Sequence, residues 1–166
     1  MRSIPLKPLI IIFLISQAGI LFFLFQLPNP LDALWLQLTY SPEIFKSIIF
    51  NWSAEHLNFY LNHYYLDFVH PLIYGSLLVA LLKTLKTPLP RAVFFLPVIG
   101  ALGDEVENIC DLFLILNPDD FSRGILWMGA TASWVKWISL LITMMIFIPR
   151  VQRKIIKNPR ASTATQ

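Results

Sequence analysis

The stretch Gly100-Ala-Leu-Gly-Asp-Glu-Val-Glu-Asn-Ile-Cys-Asp111 places four carboxylates inside an otherwise apolar segment. Apolar residues flank it on both sides, from Ala92 to Ile99 and from Leu112 to Leu116. A charge at the centre of a bilayer costs about 2.5–3.5 kcal/mol, so four unpaired carboxylates would be hard to insert. We therefore expect these acids to face a protein interior, a water-filled cavity, a cation or each other.

The composition places the chain in the membrane class. Of its 166 residues, 56% are hydrophobic and only 14% are charged, and the mean hydropathy is +0.63. We expect one bundle domain over residues 1–157, with no room for a separate soluble domain. The single cysteine, Cys110, excludes an intrachain disulfide. The basic residues concentrate at the two ends and in one loop, so the net charge of +3 does not indicate nucleic-acid binding.

Four segments are long enough to cross about 30 Å of hydrocarbon, which takes about 20 residues. They are residues 9–27, 64–83, 92–116 and 124–148. The first could be a signal peptide, but its apolar run is long for one and no small-x-small cleavage site follows Leu27, which favours a retained span. The predicted fold class is all-α, a four-transmembrane-helix bundle.

The distribution of lysine and arginine predicts the orientation of these spans. One side of the membrane would carry Arg2, Lys7, Lys83, Lys86, Arg91, Arg150, Arg153, Lys154, Lys157 and Arg160, and the other only Lys46 and Arg123. Positive residues favour the cytoplasmic side. We expect a multi-pass protein of the bacterial inner membrane with both termini in the cytoplasm and a polar, disordered tail at residues 158–166.

The first outer loop, residues 28–63, contains two helix-start patterns. Ser41-Pro-Glu places proline in a first turn, and an apolar stripe at helical spacing follows it. Ser53-Ala-Glu-His56 is a weaker capping pattern. The loop is therefore predicted to hold two short amphipathic helices, the first lying at the membrane surface.

Helical spacing groups the polar residues of the spans onto shared faces. The third span aligns Asp104, Glu107, Asn108 and Asp111; the second aligns His63, Asp67, His70, Pro71 and Tyr74; the fourth aligns Ser133, Lys136, Trp137 and Leu140. Small residues, Gly100 and Gly103 against Gly124, Gly129, Ala130 and Ala132, would allow the third and fourth spans to approach closely. Lys136 is expected to form an ion pair with Asp104 or Glu107.

These faces predict an acidic pocket that opens toward the outside. Its predicted lining is Asp67, His70, Tyr74, Asp104, Glu107, Asn108, Asp111 and Lys136. Carboxylates outnumber cations there, so the leading hypothesis is that the pocket binds a cation or a positively charged small molecule or headgroup. Membrane lipids are the expected partners.

Three other interpretations remain open. A membrane enzyme acting on a lipid or isoprenoid would use Glu107 or Asp104 as acid and base, with His70 as proton shuttle and Lys136 as electrostatic partner. A structural or partner-binding subunit would use the polar groups only for helix association. A zinc or iron site could draw ligands from His63, Asp67, His70, Glu107 and Asp111, although Asp67-x-x-His70 occurs once and the third span has no histidine. No cofactor is assigned.

Several stretches of the sequence resemble those of a family of small bacterial four-span membrane proteins that has no assigned activity. The matching residues are Tyr65-Leu-Asp-Phe-Val-His-Pro-Leu-Ile-Tyr-Gly75, Asp104-Glu-Val-Glu-Asn108 and Lys136-Trp137. The resemblance implies a four-span fold and a set of shared polar residues, but it implies no activity.

Two better-known groups share coarser features with this chain. Its length, spans and basic tail are similar to those of the emopamil-binding and sigma-2 receptor group, at the level of fold alone. Tyr65-Leu-Asp67 and Gly100-Ala-Leu-Gly-Asp104 superficially resemble the motifs of the presenilin aspartyl proteases. Tyr65 is not adjacent to Asp67, however, and no Pro-Ala-Leu segment follows, so a protease is not expected.

Overall fold

The computed structural model describes residues 6–85 and 88–157, with the side chains of 153–157 left out, and all regular structure in these ranges is helical. The helices are α1 (Leu6–Leu24), α2 (Leu31–Leu38), α3 (Pro42–Asn51), α4 (Ala54–Asp67), α5 (His70–Lys83), α6 (Leu96–Leu116) and α7 (Arg123–Lys157), and a 3₁₀ turn over Arg91–Phe95 leads into α6. The prediction of an all-α chain is confirmed. The predicted tail 158–166 lies outside the described residues.

Two of these helices are long and apolar enough to cross a membrane: α1, and α7 over Arg123–Gln152. The pair α4 and α5, bent by 42°, would count as a third span if taken together. Helix α6 has 21 residues, but four acids lie within it. The structure thus supports two or three spans by length and composition, and the four-span arrangement is not confirmed.

The predicted second span, residues 64–83, is not one continuous helix. Helix α4 ends at Asp67 and α5 begins at His70, with Pro71 in the first turn of α5. Proline has no backbone N–H, so the carbonyl of Asp67 lacks its usual helical partner. The side chain of Asn108 in α6 donates to that carbonyl at 3.4 Å. The bend between α4 and α5 therefore lies next to Pro71, and a side chain of another helix satisfies the released carbonyl.

The outer segment contains three short helices rather than the two predicted. Ser41 Oγ accepts from the Ile44 amide and Ser53 Oγ accepts from the His56 amide, each at 3.2 Å, which confirms both predicted starts. The helix that was missed is α2. Its start is stabilised by Asn29, whose side chain accepts from the Leu31 amide at 3.2 Å.

A hydrophobic core joins these short helices to the outer ends of the long ones. Its fully buried members include Leu36, Phe45, Tyr60, Leu114 and Leu126, contributed by α2, α3, α4, α6 and α7. The apolar stripe of α3 is therefore partly inside the protein, because Phe45 is only 2% exposed.

The long helices form an open row. Helix α1 packs against α4 and α5, α5 packs against α6, and α6 packs along the length of α7. Helix α2 contacts α7, α3 and α6. Helices α1 and α7 end the row and do not pack along one another. This arrangement leaves a space between them on the surface of α5.

Candidate functional site

A buried ion-pair triad joins α6 to α7. Lys136 Nζ lies 2.9 Å from Asp104 Oδ1 and 2.7 Å from Glu107 Oε2. All three residues are buried, with Lys136 5% exposed. The sequence predicted a partner among these two acids, and the structure gives Lys136 both. One ammonium group therefore faces two carboxylates in the interior.

Close contact between α6 and α7 makes the triad possible. A Cβ added to Gly103 would lie 2.8 Å from the carbonyl oxygen of Ala132 and 3.2 Å from the amide nitrogen of Lys136, both backbone atoms. Gly129 is in similarly close contact with Cys110 and Asp111 across the interface. The expected role of small residues is confirmed at these positions. It does not extend to Gly124, whose added Cβ would meet only Ser122 Oγ of its own segment, at 3.7 Å.

Tyr74 connects the triad to α5. Its hydroxyl donates to Asp104 Oδ2 at 3.0 Å, while Lys136 occupies Oδ1 of the same carboxylate. Asp104 is thus held by partners from two helices. Such charge-assisted bonds fix the direction of a carboxylate more firmly than neutral ones do.

His70 is held by a residue of α1 that the sequence did not single out. Ser16 Oγ donates to the Phe13 carbonyl at 3.0 Å and lies 2.9 Å from His70 Nδ1. A hydroxyl has one proton, so if that proton serves the carbonyl, Nδ1–H must donate to Ser16 Oγ. This count assigns the tautomer and leaves Nε2 of His70 as an acceptor. The available signal was Ser16-Gln17, two polar residues within an apolar helix.

The space between α1 and α7 is a cavity of about 540 Å³. Five of the predicted site residues line it: Asp67, His70, Tyr74, Asp104 and Lys136. Lining residues that were not predicted for the site include Phe13, Gln17, Gln37, His63, Leu77, Leu78, Leu81, Trp137, Leu140 and Met144. Most of the lining is apolar, in contrast to the acidic pocket expected from sequence. The carboxylates form one patch on a largely hydrocarbon wall.

Three predicted site residues lie outside this cavity lining. Glu107, Asn108 and Asp111 are at most 2% exposed and lie in the interior of the helix packing. Ala33 and Leu34 of α2, with Pro30 just before this helix, also line the cavity, and its predicted opening toward the outside stays a prediction. The row of long helices is open between α1 and α7, so the cavity has an opening on the lateral surface of the helix row.

Several buried polar atoms near the triad have no hydrogen-bond partner among the described residues. They are Glu107 Oε1, Asp111 Oδ2, Ser133 Oγ and Tyr60 Oη, together with Glu107 Oε2, which approaches Lys136 Nζ closely without the alignment of a hydrogen bond. Each unpaired buried polar group carries a desolvation cost of about 1–3 kcal/mol. Both carboxylate oxygens of Glu107 belong to this set, whereas both oxygens of Asp104 have hydrogen-bond partners.

The hypothetical metal site is not formed. Within residues 6–85 and 88–157, no three His, Cys, Asp or Glu side chains converge as ligands for a metal ion. His63 Nε2 approaches Asp67 Oδ2 at 3.7 Å, but His70 bonds to Ser16 instead. The proposed set of His63, Asp67, His70, Glu107 and Asp111 is therefore wrong as a metal centre in this arrangement.

Comparison of the chain with protein-family models, with curated proteins and with solved structures finds no match. The resemblance to small bacterial four-span proteins stays a prediction. The function must be inferred from the cavity, its charges and its walls.

Proposed function

We propose that this chain is an integral membrane protein that crosses the bilayer four times, through α1, the bent pair α4–α5, α6 and α7. Support comes from the outward face of α6, the helix that carries four acids, more than any other of these spans. Its strongly exposed large residues are all apolar, namely Leu102, Val106, Ile109, Phe113 and Leu116, whereas Asp104, Glu107 and Asp111 are buried. This arrangement keeps three of the four acids of α6 away from hydrocarbon, and the fourth, Glu105, is half-buried.

The orientation follows from the positive residues at the helix ends. Lys83 and Arg91 lie at one end of the row, together with Arg150, and Arg123 lies at the other. The bias favours cytoplasmic termini in a bacterial inner membrane, with α2 and α3 on the periplasmic side. This topology also agrees with the small four-span family that the sequence resembles.

The function that the cavity supports best is binding of a positively charged small molecule or headgroup. Asp67 and Asp104 line the cavity, Glu107 stands behind Asp104, and these three carboxylates share only one ammonium group, that of Lys136. In a medium of low dielectric constant, an excess of negative charge favours an added cation strongly. The surplus of carboxyl groups over ammonium groups at the cavity wall is the single observation that carries the proposal.

A pair of matched probes tests the contribution of charge. Octylammonium and octanol have the same chain, and their binding to the purified protein in lipid nanodiscs can be compared against free aqueous concentration. We expect octylammonium to bind at least about tenfold more tightly, because hydrogen bonds to charged groups contribute about 1.5–3 kcal/mol. Equal binding of the two probes would contradict the proposal.

A matched pair of variants locates the charge effect. Asp67→Asn should reduce the preference for octylammonium, since Asp67 lines the cavity. Glu105→Gln should leave it unchanged, because Glu105 lies on another face of α6 and outside the cavity lining. The same loss in both variants would show that the preference comes from overall charge and not from the site.

Acid–base chemistry on a bound lipid or isoprenoid is a second candidate. His70 leaves Nε2 as an acceptor, and the Tyr74 hydroxyl is held against Asp104 on the same wall. These groups could accept and donate a proton to a ligand in the cavity. Turnover of a labelled lipid pool that disappears in His70→Ala would favour an enzyme, whereas unchanged turnover would leave binding alone.

A further inference from the structure

The cavity wall changes chemistry along its length. A polar belt crosses its middle and consists of Gln17, Asp67, His70, Tyr74, Asp104 and Lys136. On the side of this belt toward the ends of α5 and α7 that the proposed topology places in the cytoplasm, the lining is only apolar. This inner lobe is formed by Phe13 of α1, by Leu77, Leu78 and Leu81 of α5, and by Leu140 and Met144 of α7.

The inner lobe has the dimensions of a slot for a hydrocarbon chain. Lys136 and Met144 are eight residues apart on α7, which corresponds to about 12 Å along the helix axis. A small hydrated cation would have no partner along that length. An apolar chain attached to the cation would itself leave water on entering the lobe and gain free energy in proportion to its length.

The gap between α1 and α7 gives such a chain access from the bilayer. Among the described residues, helix α1 packs mainly against α4 and α5, and α7 packs mainly against α6 and α2. Leu21 and Trp137 line the cavity from opposite sides of the gap, and they are 42% and 44% exposed. In the proposed topology this side faces hydrocarbon, so the polar belt is accessible to a molecule already dissolved in the membrane.

We infer that the ligand is a single-chain cationic amphiphile of the bilayer. Its positive headgroup lies against Asp67 and Asp104, and its chain lies in the inner lobe toward Met144. This inference rests on the proposed function and adds the class of ligand and its direction of binding. The outer lobe beneath α2 is mostly apolar but also contains the polar side chains of Gln37 and His63. In the proposed topology it lies on the periplasmic side of the belt, opposite to the direction in which the tail of an outer-leaflet amphiphile points.

A chain-length series separates this inference from the proposal beneath it. Butyl-, octyl- and decylammonium carry the same headgroup, and their affinities are referenced to free aqueous concentration in nanodiscs. We expect affinity to rise about fourfold per methylene, as transfer of a chain from water to an apolar lobe requires. Equal affinities across the series, with octylammonium still preferred over octanol, would overturn the inference and leave the proposed function standing. No binding by any ammonium probe would overturn both.

Two adjacent methionines provide matched variants. Met144 lines the inner lobe, whereas Met145 is 66% exposed on another face of α7. Met144→Trp shortens the lobe and should lower the affinity for decylammonium at least tenfold while leaving butylammonium unchanged. Met145→Trp should change neither. An equal loss for all chain lengths in Met144→Trp would contradict the proposed position of the chain.

Photolabelling of the unaltered protein tests the same placement without a substitution. Decylammonium with a diazirine at the chain terminus should label peptides that contain Leu81 and Met144, at the inner end of the lobe. A diazirine beside the ammonium group should label peptides from the polar belt. Terminal labelling at Leu34 of α2, or only on the exposed surfaces of α1 and α7, would refute the inferred direction.

Discussion

Replacing Lys136 by methionine should lower the free energy of unfolding by about 3–5 kcal/mol. The side chain is 5% exposed and lies 2.9 Å from a carboxylate oxygen of Asp104 and 2.7 Å from one of Glu107. At an effective dielectric constant of about 20, each contact contributes about 6 kcal/mol of Coulomb attraction before desolvation. Much of this offsets the cost of burying the three charges, so the net loss is smaller than the attraction.

The free energy of unfolding can be measured by titrating the folded protein with SDS in mixed micelles. Lys83→Met is the control, because Lys83 is an exposed residue at the end of α5 and such substitutions usually change stability by no more than about 0.5 kcal/mol. The difference in unfolding free energy between Lys136→Met and Lys83→Met thus separates the effect of breaking the triad from the effect of removing any lysine.

A triple variant tests the physical cause. Lys136→Met combined with Asp104→Asn and Glu107→Gln removes all three charges and should recover most of the lost stability. Replacing a whole buried ion cluster by neutral groups is often neutral or stabilising, whereas removing one partner leaves charges uncompensated. A loss below about 1 kcal/mol in the single variant, or no recovery in the triple variant, would refute the assignment of the triad as a charge-compensated unit.

Three further outcomes are expected. Gly103→Ala should destabilise the protein by about 1–3 kcal/mol, because the added Cβ would meet the Ala132 carbonyl at 2.8 Å. Gly124→Ala should be neutral or stabilising, because its Cβ has space. Thermal denaturation of both variants measures the difference in stability. Ser41→Ala should cost about 0.5–2 kcal/mol through loss of the cap of α3, and SDS titration would measure it. The Ser41 hydroxyl donates to Glu43 and holds the pKa of that exposed carboxylate below its ordinary value. The ionised Glu43 therefore stabilises the start of α3 at pH values above its ordinary pKa, and this stabilisation is lost as the pH falls through its lowered pKa in the folded protein. Amide exchange at the start of α3 should show this pH dependence, and Glu43→Gln should abolish it.

Helix faces and helix starts were predictable because they depend on local spacing. The interval from Asp104 to Asp111 fixed one buried face of α6, and the serines at 41 and 53 fixed the starts of α3 and α4. The apolar length of a segment, however, does not show where a helix is interrupted. Apolar length predicted a single span over residues 64–83, whereas the structure has two helices there, because Pro71 interrupts the backbone hydrogen bonds.

The division of the acids between cavity and interior was not predictable in this way. Asp104 and Asp111 share a face of α6, yet Asp104 lines the cavity and Asp111 is buried against α7. Which neighbour a residue meets depends on where along α6 the other helices cross it. The contact of Ser16 with His70 joins residues 54 positions apart and had only the weak signal of a polar pair in α1.

By itself, the sequence determined that this chain is helical and apolar, that Asp104, Glu107 and Asp111 share an inward face of α6, and that Lys136 pairs with carboxylates of that face. Each of these follows from hydropathy, from 3.6-residue periodicity and from the cost of an unpaired charge in an apolar medium. The tertiary structure alone decided that the cavity lies between α1 and α7, is mostly apolar, and is partly lined by α2. The physical reason is that periodicity fixes which side of a helix turns inward, whereas a cavity between two helices far apart in the chain depends on how all the others pack.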